Sequence, residues 1–276
     1  MAQIKIAGIM RSGAYSPNRV GNDAAIFNAV TEQLRKRGCR VNVYTEEQLI
    51  DGDVAEDVVL NMCRRRGSVD VLQGMEDDGC LVINSGYGIE NTIHSRMTRI
   101  LTGSGIPFPA SLIVDTDEQV VRRMVKAGIG RCWVKRGDYH AIHKEDTSFV
   151  RTPAEAQEVL KEYFLRGIST AVLSKHIDGH QMKFYGVTGS EFFHLFDADT
   201  GDPVTDAPTA AAVLKIATAA AAALDVMVYG GDAIVGDDGS ITIVDINDWP
   251  SFSNCRRLGA VAIAKAVISA VRARGG

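Results

Sequence analysis

The sequence lacks several patterns that would place a protein in a class at once. Its 276 residues include five cysteines, an odd number without a CxxC pair, so neither a zinc site nor a disulfide framework is indicated and reduced thiols are expected. It contains no GxxxxGK[ST] loop and no GxGxxG fingerprint, which excludes these two ways of binding phosphate. There is also no internal repeat and no low-complexity linker.

Long hydrophobic runs and excess charge of one sign are missing as well. The most apolar segment, residues 210–229, is interrupted by Lys215 and Asp225 and is rich in alanine, which favours a packed helix leading into a strand over a membrane span. A net charge of −4 gives no reason to expect nucleic acid or an anionic membrane as a partner. The first residues, MAQIKIAGIM, are not organised like a signal peptide, so we expect a cytoplasmic protein. The residues do not predict an oligomeric state.

The first third of the chain alternates between predicted strands and helices. IKIAGIM reads as a buried strand, residues 22–37 as a helix and Arg40–Tyr44 as a second strand. A charged helix is predicted around residues 55–66, and CLVIN is a further short apolar run. This alternation predicts a small open α/β sheet whose loops after the strands face a cleft.

The rest of the chain is predicted to mix helices with antiparallel strands. Thr152 is a plausible N-cap for a helix from Pro153 to Arg166. TAVLSKHI and MKFYGV are predicted to be strands joined by a hairpin-like connection, IDGHQ, and the DDG turn predicts a second hairpin within DAIVGDDGSITIVDIN. The other predicted helices cover residues 92–102, 117–126 and 256–274.

Polar residues follow the apolar run 241–244 and suggest a cation site. Asp245 and Asn247 are two positions apart on a strand and so share a face, and counting from the DDG turn places Asp232 roughly opposite Asp245. Two carboxylates and an amide oxygen suit Mg²⁺. The alternative is that Asp232 caps its strand and Asp245 solvates the sheet end.

Two strand lysines extend this pattern. Lys135 and Lys183 each lie among apolar neighbours, where lysine side chains often simply reach to solvent. Together with the acidic set they fit a nucleotide polyphosphate, with a cation on one side of the phosphates and ammonium groups on the other.

The order of four segments resembles the ATP-grasp superfamily over nearly the whole chain. The segments are VINSGYGIENTIHSRMTRILTGSGIPFPAS, CWVKRGDYHA, AVLSKHIDGHQMKFYGV and GGDAIVGDDGSITIVDINDWPSF. The resemblance implies an α/β protein with an N-terminal open α/β domain, residues 1–84. It also implies two α+β lobes, residues 85–173 and 174–276, that clasp ATP between them.

The resemblance also implies roles for individual residues. Lys135 matches the strand lysine that reaches the α- and β-phosphates, and Lys183 is a second cofactor-binding lysine. Leu173, Ser174, Lys175 and His176 match the segment between the lobes whose backbone meets adenine, and Asp178 lies near the ribose. Asp232, Asp245 and Asn247 match the ligands of Mg²⁺, or of Mn²⁺ in its place.

The superfamily contains two kinds of reaction, which the residues do not separate fully. Most members, such as glutathione synthase and the ribosomal-protein glutamate ligases, join a carboxylate to an amine through an acyl phosphate. The inositol 1,3,4-trisphosphate 5/6-kinases instead phosphorylate an oxygen acceptor. Asp245-Ile-Asn247, Lys183 and the histidines of RGDYHAIHKEDTS resemble the kinases, whereas Ser251 stands where those kinases have glycine.

We therefore expect Mg-ATP-dependent phosphoryl transfer to an oxygen of a small anionic metabolite. Carboxylate–amine ligation and a non-catalytic nucleotide-binding module remain alternatives. The candidate catalytic residues are Lys183, His140 and Arg96. For His140 the alternative is an ordinary solvated histidine, which is as common in such a loop as a catalytic one. The candidate acceptor-binding residues are Arg11, Arg19, Ser251, Asn254 and Arg256.

Overall fold

The computed structural model describes residues 3–15 and 20–274, and its first sheet is parallel with the strand order β2-β1-β3-β4. Its elements are β1 (Lys5–Ile9), α1 (Val20–Lys36), β2 (Arg40–Tyr44), α2 (Glu46–Ile50), β3 (Val58–Asn61), α3 (Arg66–Asp77) and β4 (Leu81–Ile83). The predictions of a first strand, a helix after it and the strand Arg40–Tyr44 are confirmed.

The helix predicted around residues 55–66 is wrong, because this segment contains β3. All four residues of Val58–Asn61 are buried, since β3 lies between β1 and β4 in a parallel sheet. Strands of this kind read as continuous apolar runs, and their periodicity does not distinguish them from a buried stretch of helix. The charged residues of this segment lie on both sides of β3: Glu56 and Asp57 precede it, and Arg64 and Arg65 lie between it and α3.

The second sheet is antiparallel with the order β5-β8-β6-β7. The elements of this part are α4 (Gly86–Asn91), α5 (His94–Gly103), β5 (Ser111–Asp115), α6 (Val121–Lys126), β6 (Cys132–Arg136), β7 (Thr147–Val150), α7 (Pro153–Leu165) and β8 (Thr170–Lys175). Thr152 caps α7 as predicted, because its side chain accepts a hydrogen bond from the Glu155 amide. The single helix predicted over residues 92–102 is preceded by the separate short helix α4. The boundary expected between residues 173 and 174 falls inside β8, and the chain leaves this sheet after Lys175.

The third sheet is also antiparallel, with the order β10-β9-β11-β12. Its elements are β9 (His180–Val187), β10 (Phe193–Asp197), α8 (Ala207–Ala223), β11 (Val228–Val235), β12 (Ile241–Asp248) and α9 (Arg256–Arg274). The alanine-rich helix leading into a strand and the β11–β12 hairpin are confirmed. The hairpin predicted at IDGHQ is wrong, because β8 and β9 pair within different sheets and this segment links the two.

The first and third sheets share one hydrophobic core. Ile6 and Leu60 of the first sheet belong to the same buried cluster as Val228 of β11, Ile263 of α9 and Trp249 just after β12. The second sheet has a core of its own, around residues such as Val134 and Leu173. This arrangement brings the end of β12 beside the loops that follow β1 and β3. Over residues 3–15 and 20–274, no helix is both long and apolar enough to cross a membrane.

Candidate active site

Two neighbouring cavities meet beside the β11–β12 hairpin. The larger, of about 330 Å³, is lined by the loops that follow β1, β3 and β6, by helices α1 and α5, and by residues of the third sheet. The smaller, of about 220 Å³, is lined by residues of the second and third sheets. Thr147, Asp232 and Asp245 line both cavities, so the two carboxylates lie at the junction between them.

The hairpin register brings the predicted cation ligands together. Asp232 and Asp245 are paired positions of β11 and β12, as predicted, and the Nδ2 of Asn247 donates to Asp245 Oδ2 over 2.9 Å. This hydrogen bond leaves the amide oxygen of Asn247 free to accept another partner. Gly231 precedes Asp232, and a Cβ at this position would collide with the Asp245 carbonyl oxygen, so the close approach of the two strands requires glycine.

Basic groups surround the two carboxylates. Lys183 on β9 is paired in register with Asp232, and its Nζ lies 3.2 Å from Asp232 Oδ1. Burial raises the pKa of the Asp245 carboxyl, but Lys135, His94 and the hydrogen bond from Asn247 together outweigh it and leave that pKa below its ordinary value. Asp245 is therefore ionised at neutral pH.

These residues fit a divalent cation through their oxygen atoms. Within the described part of the chain, no three His, Cys, Asp or Glu side chains cluster as a metal site. The set of Asp232, Asp245 and Asn247 offers two carboxylates and an amide oxygen, and Mg²⁺ in proteins commonly takes one or two carboxylates and completes its shell with water and phosphate oxygens.

The smaller cavity combines one lysine with an aromatic wall. Lys135 of β6 lines it and donates from Nζ to the Val244 carbonyl over 2.9 Å. Trp133, on the same strand, is 38% exposed, and its ring centroid lies 5.2 Å from that of Phe149 and 6.4 Å from that of His176. A half-exposed aromatic surface beside an ammonium group suits a planar base that carries an anionic chain.

Two buried ion pairs line the larger cavity. Arg11 lies 3.1 Å from Asp23, and Arg64 lies 2.5 Å from Asp248, with all four side chains almost fully buried. Thr92 also donates from its hydroxyl to Asp248 over 3.2 Å. Among the described residues, the aspartates that line this cavity are Asp23, Asp232, Asp245 and Asp248, and the arginines and lysines are Arg11, Arg64 and Lys183.

His140 lines the larger cavity with its protonation fixed by Arg64. A guanidinium N–H of Arg64 donates to His140 Nδ1, and because arginine only donates, the ring hydrogen of neutral His140 is on Nε2. Burial and the neighbouring Arg64 charge hold the pKa of His140 well below its ordinary value, while burial lowers the pKa of Arg64 to about 10. His140 is thus a neutral hydrogen-bond donor within the cavity, not a solvated surface residue.

The loop that carries His140, residues 137–146, is tied down at both ends. At its start, His94 Nδ1 lies 2.8 Å from the Arg136 carbonyl and Ser95 Oγ donates to the Gly137 carbonyl over 2.6 Å. At its end, fully buried Asp146 accepts from the amides of Ile142 and His143 and pairs with Arg166. The loop is therefore held in place over the larger cavity.

Comparison with solved structures identifies this architecture. No family model and no curated protein matches the sequence. The D-alanine–D-alanine ligase of Bacillus anthracis in complex with ATP superposes with a TM-score of 0.73 and 17% identity, with 100% of each chain covered. VanG D-Ala:D-Ser ligase of Enterococcus faecalis gives a TM-score of 0.70 and 14% identity over 97% of this chain and 99% of its own. The ATP-grasp ligase PsnB, solved with precursor peptide PsnA2 and AMPPNP, gives 0.64 and 17% identity over 98% of both chains. The chain has the ATP-grasp fold.

The predicted nucleotide-binding residues are only partly brought together at one cavity. Ser174, Lys175 and His176 line the smaller cavity together with Lys135. Leu173 does not, because its side chain is buried in the core of the second sheet.

Lys183 lines the larger cavity and not the smaller one, which places it beside Asp232 on the far side from Trp133. Asp178 lines neither cavity: its carboxylate is 71% exposed and pairs with Arg131 over 2.6 Å. A contact of Asp178 with a ribose therefore has no support from its position.

Arg96 points away from both cavities. Arg96 lies on the exposed face of α5, and its guanidinium is 2.6 Å from the carboxylate of Glu90 in α4. Because successive helix positions are about 100° apart, His94 and Arg96 lie on nearly opposite faces of α5, and it is His94 that lines the larger cavity. The prediction of a catalytic Arg96 is not supported by this placement.

The predicted acceptor-binding residues are only partly brought together. Arg11 and Ser251 line the larger cavity. Asn254 instead donates to the Gly201 carbonyl, and Arg256 contacts Ser251 and Asn22, so neither lines it. Arg19 lies outside the described residues.

Sequence reasoning missed Arg64, Asp248, His94 and Trp133. Asp248 directly follows the DIN motif, and Arg64 comes three residues after β3, so recognition of β3 as a strand would have placed Arg64 at the cleft. His94 and Trp133 carry no comparable local signal.

Proposed function

We propose that this protein is an ATP-dependent carboxylate–amine ligase that acts through an acyl phosphate. The observation that carries the proposal is that Asp232 and Asp245 line two cavities at once, one suited to a nucleotide and one to a small acceptor. A cation held at this junction would be positioned between the polyphosphate and the acceptor and would neutralise charge on the phosphates.

The smaller cavity is the proposed ATP site. Its aromatic wall at Trp133 and His176 would stack against adenine. The Lys135 ammonium, at the end toward Asp245, would hold the phosphates.

The acceptor is proposed to be a small zwitterion such as an amino acid. Among the described residues, the larger cavity is lined by three basic and four acidic side chains, and this mixture of charges suits a ligand that carries both signs. Four aspartates in this cavity disfavour an acceptor that carries several phosphates. The similar structures described above are named as ligases, two of them for D-alanine or D-serine. Together these points favour ligation over the kinase reaction that three sequence features suggested.

The reaction has two steps. An oxygen of the acceptor carboxylate attacks the γ-phosphorus of ATP, the bond to ADP breaks, and an acyl phosphate forms. An amine then attacks the acyl carbon and loses a proton, and inorganic phosphate leaves with one oxygen of the original carboxylate. Lys183 and the Nε2–H of His140 would stabilise the charge that develops on the transferred group and on the acyl oxygen.

Trapping with hydroxylamine tests this proposal without knowledge of the natural amine. The full chain is incubated with ATP, Mg²⁺, hydroxylamine and single amino acids, L and D, whose carboxylates carry ¹⁸O. We expect a hydroxamate from at least one amino acid, and ¹⁸O in the phosphate released with it. Phosphate retained on the acceptor would establish a kinase, and absence of ATP consumption with every amino acid would contradict the ligase.

A matched pair of variants connects the product to the proposed site. Asp245→Asn removes one charge at the junction of the cavities and should abolish hydroxamate formation. Asp199→Asn makes the same change at an exposed position that lines neither cavity and should leave the rate unchanged.

A further inference from the structure

His94 is a polar group in the site to which the proposed reaction gives no role. It is the first residue of α5, its side chain is only 12% exposed, and it lines the larger cavity. Its Nδ1 lies 2.8 Å from the Arg136 carbonyl oxygen. Since a carbonyl oxygen only accepts, Nδ1 carries a hydrogen, and the neutral ring therefore has its lone pair on Nε2.

That lone pair faces a carboxylate. His94 Nε2 lies 3.7 Å from Asp245 Oδ1, the Asp245 oxygen that does not accept the hydrogen bond from Asn247. Two acceptors that face each other at this separation without a donor between them repel, and a cation bound by both removes the repulsion. A histidine that binds a metal through one ring nitrogen commonly donates from the other to a backbone carbonyl, as His94 does to Arg136.

We propose that His94 is a nitrogen ligand of the cation bound by Asp245, and that this site consequently prefers Mn²⁺ to Mg²⁺. The inference rests on the cation site of the proposed function and adds a ligand to it. Mg²⁺ strongly favours oxygen ligands, whereas imidazole nitrogen is a good ligand for transition metals. The Asn247 side chain, which donates to the other Asp245 oxygen, keeps its amide oxygen as a further donor to this cation.

The charged groups around His94 come from several elements. Lys135 of β6 and Lys183 of β9 both act on Asp245, and Arg64 after β3 lies on the same cavity. These cations oppose a further positive charge on the imidazole, so the competing arrangement, an imidazolium paired with Asp245, is the one that the experiment must exclude.

Electron spin echo spectroscopy of bound Mn²⁺ tests the inference directly. The full chain is loaded with one equivalent of Mn²⁺, with and without AMPPNP, and the modulation from directly bound ¹⁴N is recorded. We expect imidazole ¹⁴N coupling in the unmodified chain. Mn²⁺ bound without that coupling, or no Mn²⁺ bound, would overturn the proposal, and neither result depends on the folding of a variant.

Two variants assign the coupling to one histidine. His94→Asn retains a side-chain amide that can donate to the Arg136 carbonyl but lacks Nε2, so the coupling should disappear. Mn²⁺ affinity should fall about tenfold or more, while Mg²⁺ affinity changes much less. His180→Asn, at the exposed start of β9, should alter neither. Coupling that persists in His94→Asn would refute the assignment.

The same preparation separates this inference from the proposed function. Hydroxamate formed with Mn²⁺ that shows only oxygen ligands would overturn the role of His94 and leave the ligase intact. Nitrogen-coupled Mn²⁺ in a protein that forms no hydroxamate would support His94 as a ligand and contradict the ligase.

Discussion

Replacement of Arg64 by methionine should destabilise the protein by about 3–5 kcal/mol, because it leaves Asp248 buried without its charged partner. The Arg64 side chain is 10% exposed and that of Asp248 is 0% exposed, with 2.5 Å between the nitrogen and the oxygen. Asp248→Leu should destabilise the protein by a similar amount, because it leaves Arg64 buried without its charged partner. The double variant replaces the pair by apolar groups of similar size and should cost about 1–3 kcal/mol, mainly because Thr92 and His140 lose their partners.

The two effects should therefore be strongly coupled, by at least about 3 kcal/mol. Arg65, the residue after Arg64, forms an exposed ion pair with Glu47 that provides a matched control. Their charged atoms lie 3.6 Å apart with side chains 45% and 63% exposed, so their coupling should be about 0–1 kcal/mol.

Urea unfolding at neutral pH measures these energies. Tryptophan fluorescence and far-UV circular dichroism must give coincident transitions before the free energies are compared, because a chain with three sheets can unfold in more than one step. Effects of Arg64→Met and Asp248→Leu that add to within about 0.5 kcal/mol would refute the claim that the two side chains form one buried unit.

Three further predictions concern the smaller cavity and the loop over the larger one. AMPPNP should quench the fluorescence of exposed Trp133 and not that of Trp249, the other of the two tryptophans, which is buried. Trp133→Leu should therefore abolish the quenching and weaken AMPPNP binding by about 1–3 kcal/mol; quenching that persists in this variant would place the base elsewhere. Lys135→Met should weaken binding of ATP more than that of AMP in isothermal titration, and equal losses would contradict a phosphate contact. Asp146→Asn should lower the free energy of unfolding by about 2 kcal/mol at pH 7, because the ionised carboxylate holds hydrogen bonds and an ion pair. Burial raises the pKa of Asp146, but hydrogen bonds from the Ile142 and His143 amides and the Arg166 charge outweigh burial and leave that pKa below its ordinary value. The stability difference between the unmodified protein and this variant should be fully present above about pH 4 and should shrink as the pH falls through the folded-state pKa of Asp146. A stability difference that stays constant between about pH 2 and 7 would refute this account of Asp146.

The sequence alone determined the features that depend on neighbouring residues. A DDG turn between two alternating runs sets the register of β11 and β12 near the turn and so predicts Asp232 roughly opposite Asp245; a shift of one residue after Ala233 makes the two direct partners. Thr152 before Pro153 determines the start of α7 for the same reason, because a cap and the first turn are contiguous in the chain.

Only the tertiary structure decided the features that join distant segments. Arg64 and Asp248 are 184 positions apart, and their pairing follows from a core shared by the first and third sheets. β3 is a strand because parallel neighbours cover both its edges and helices cover its faces, and its four apolar-rich residues cannot encode that environment. His94 likewise reaches Asp245 only because the second and third sheets pack at one junction. Local patterns fix local geometry, whereas the assembly of charges in the site depends on how the sheets are arranged in space.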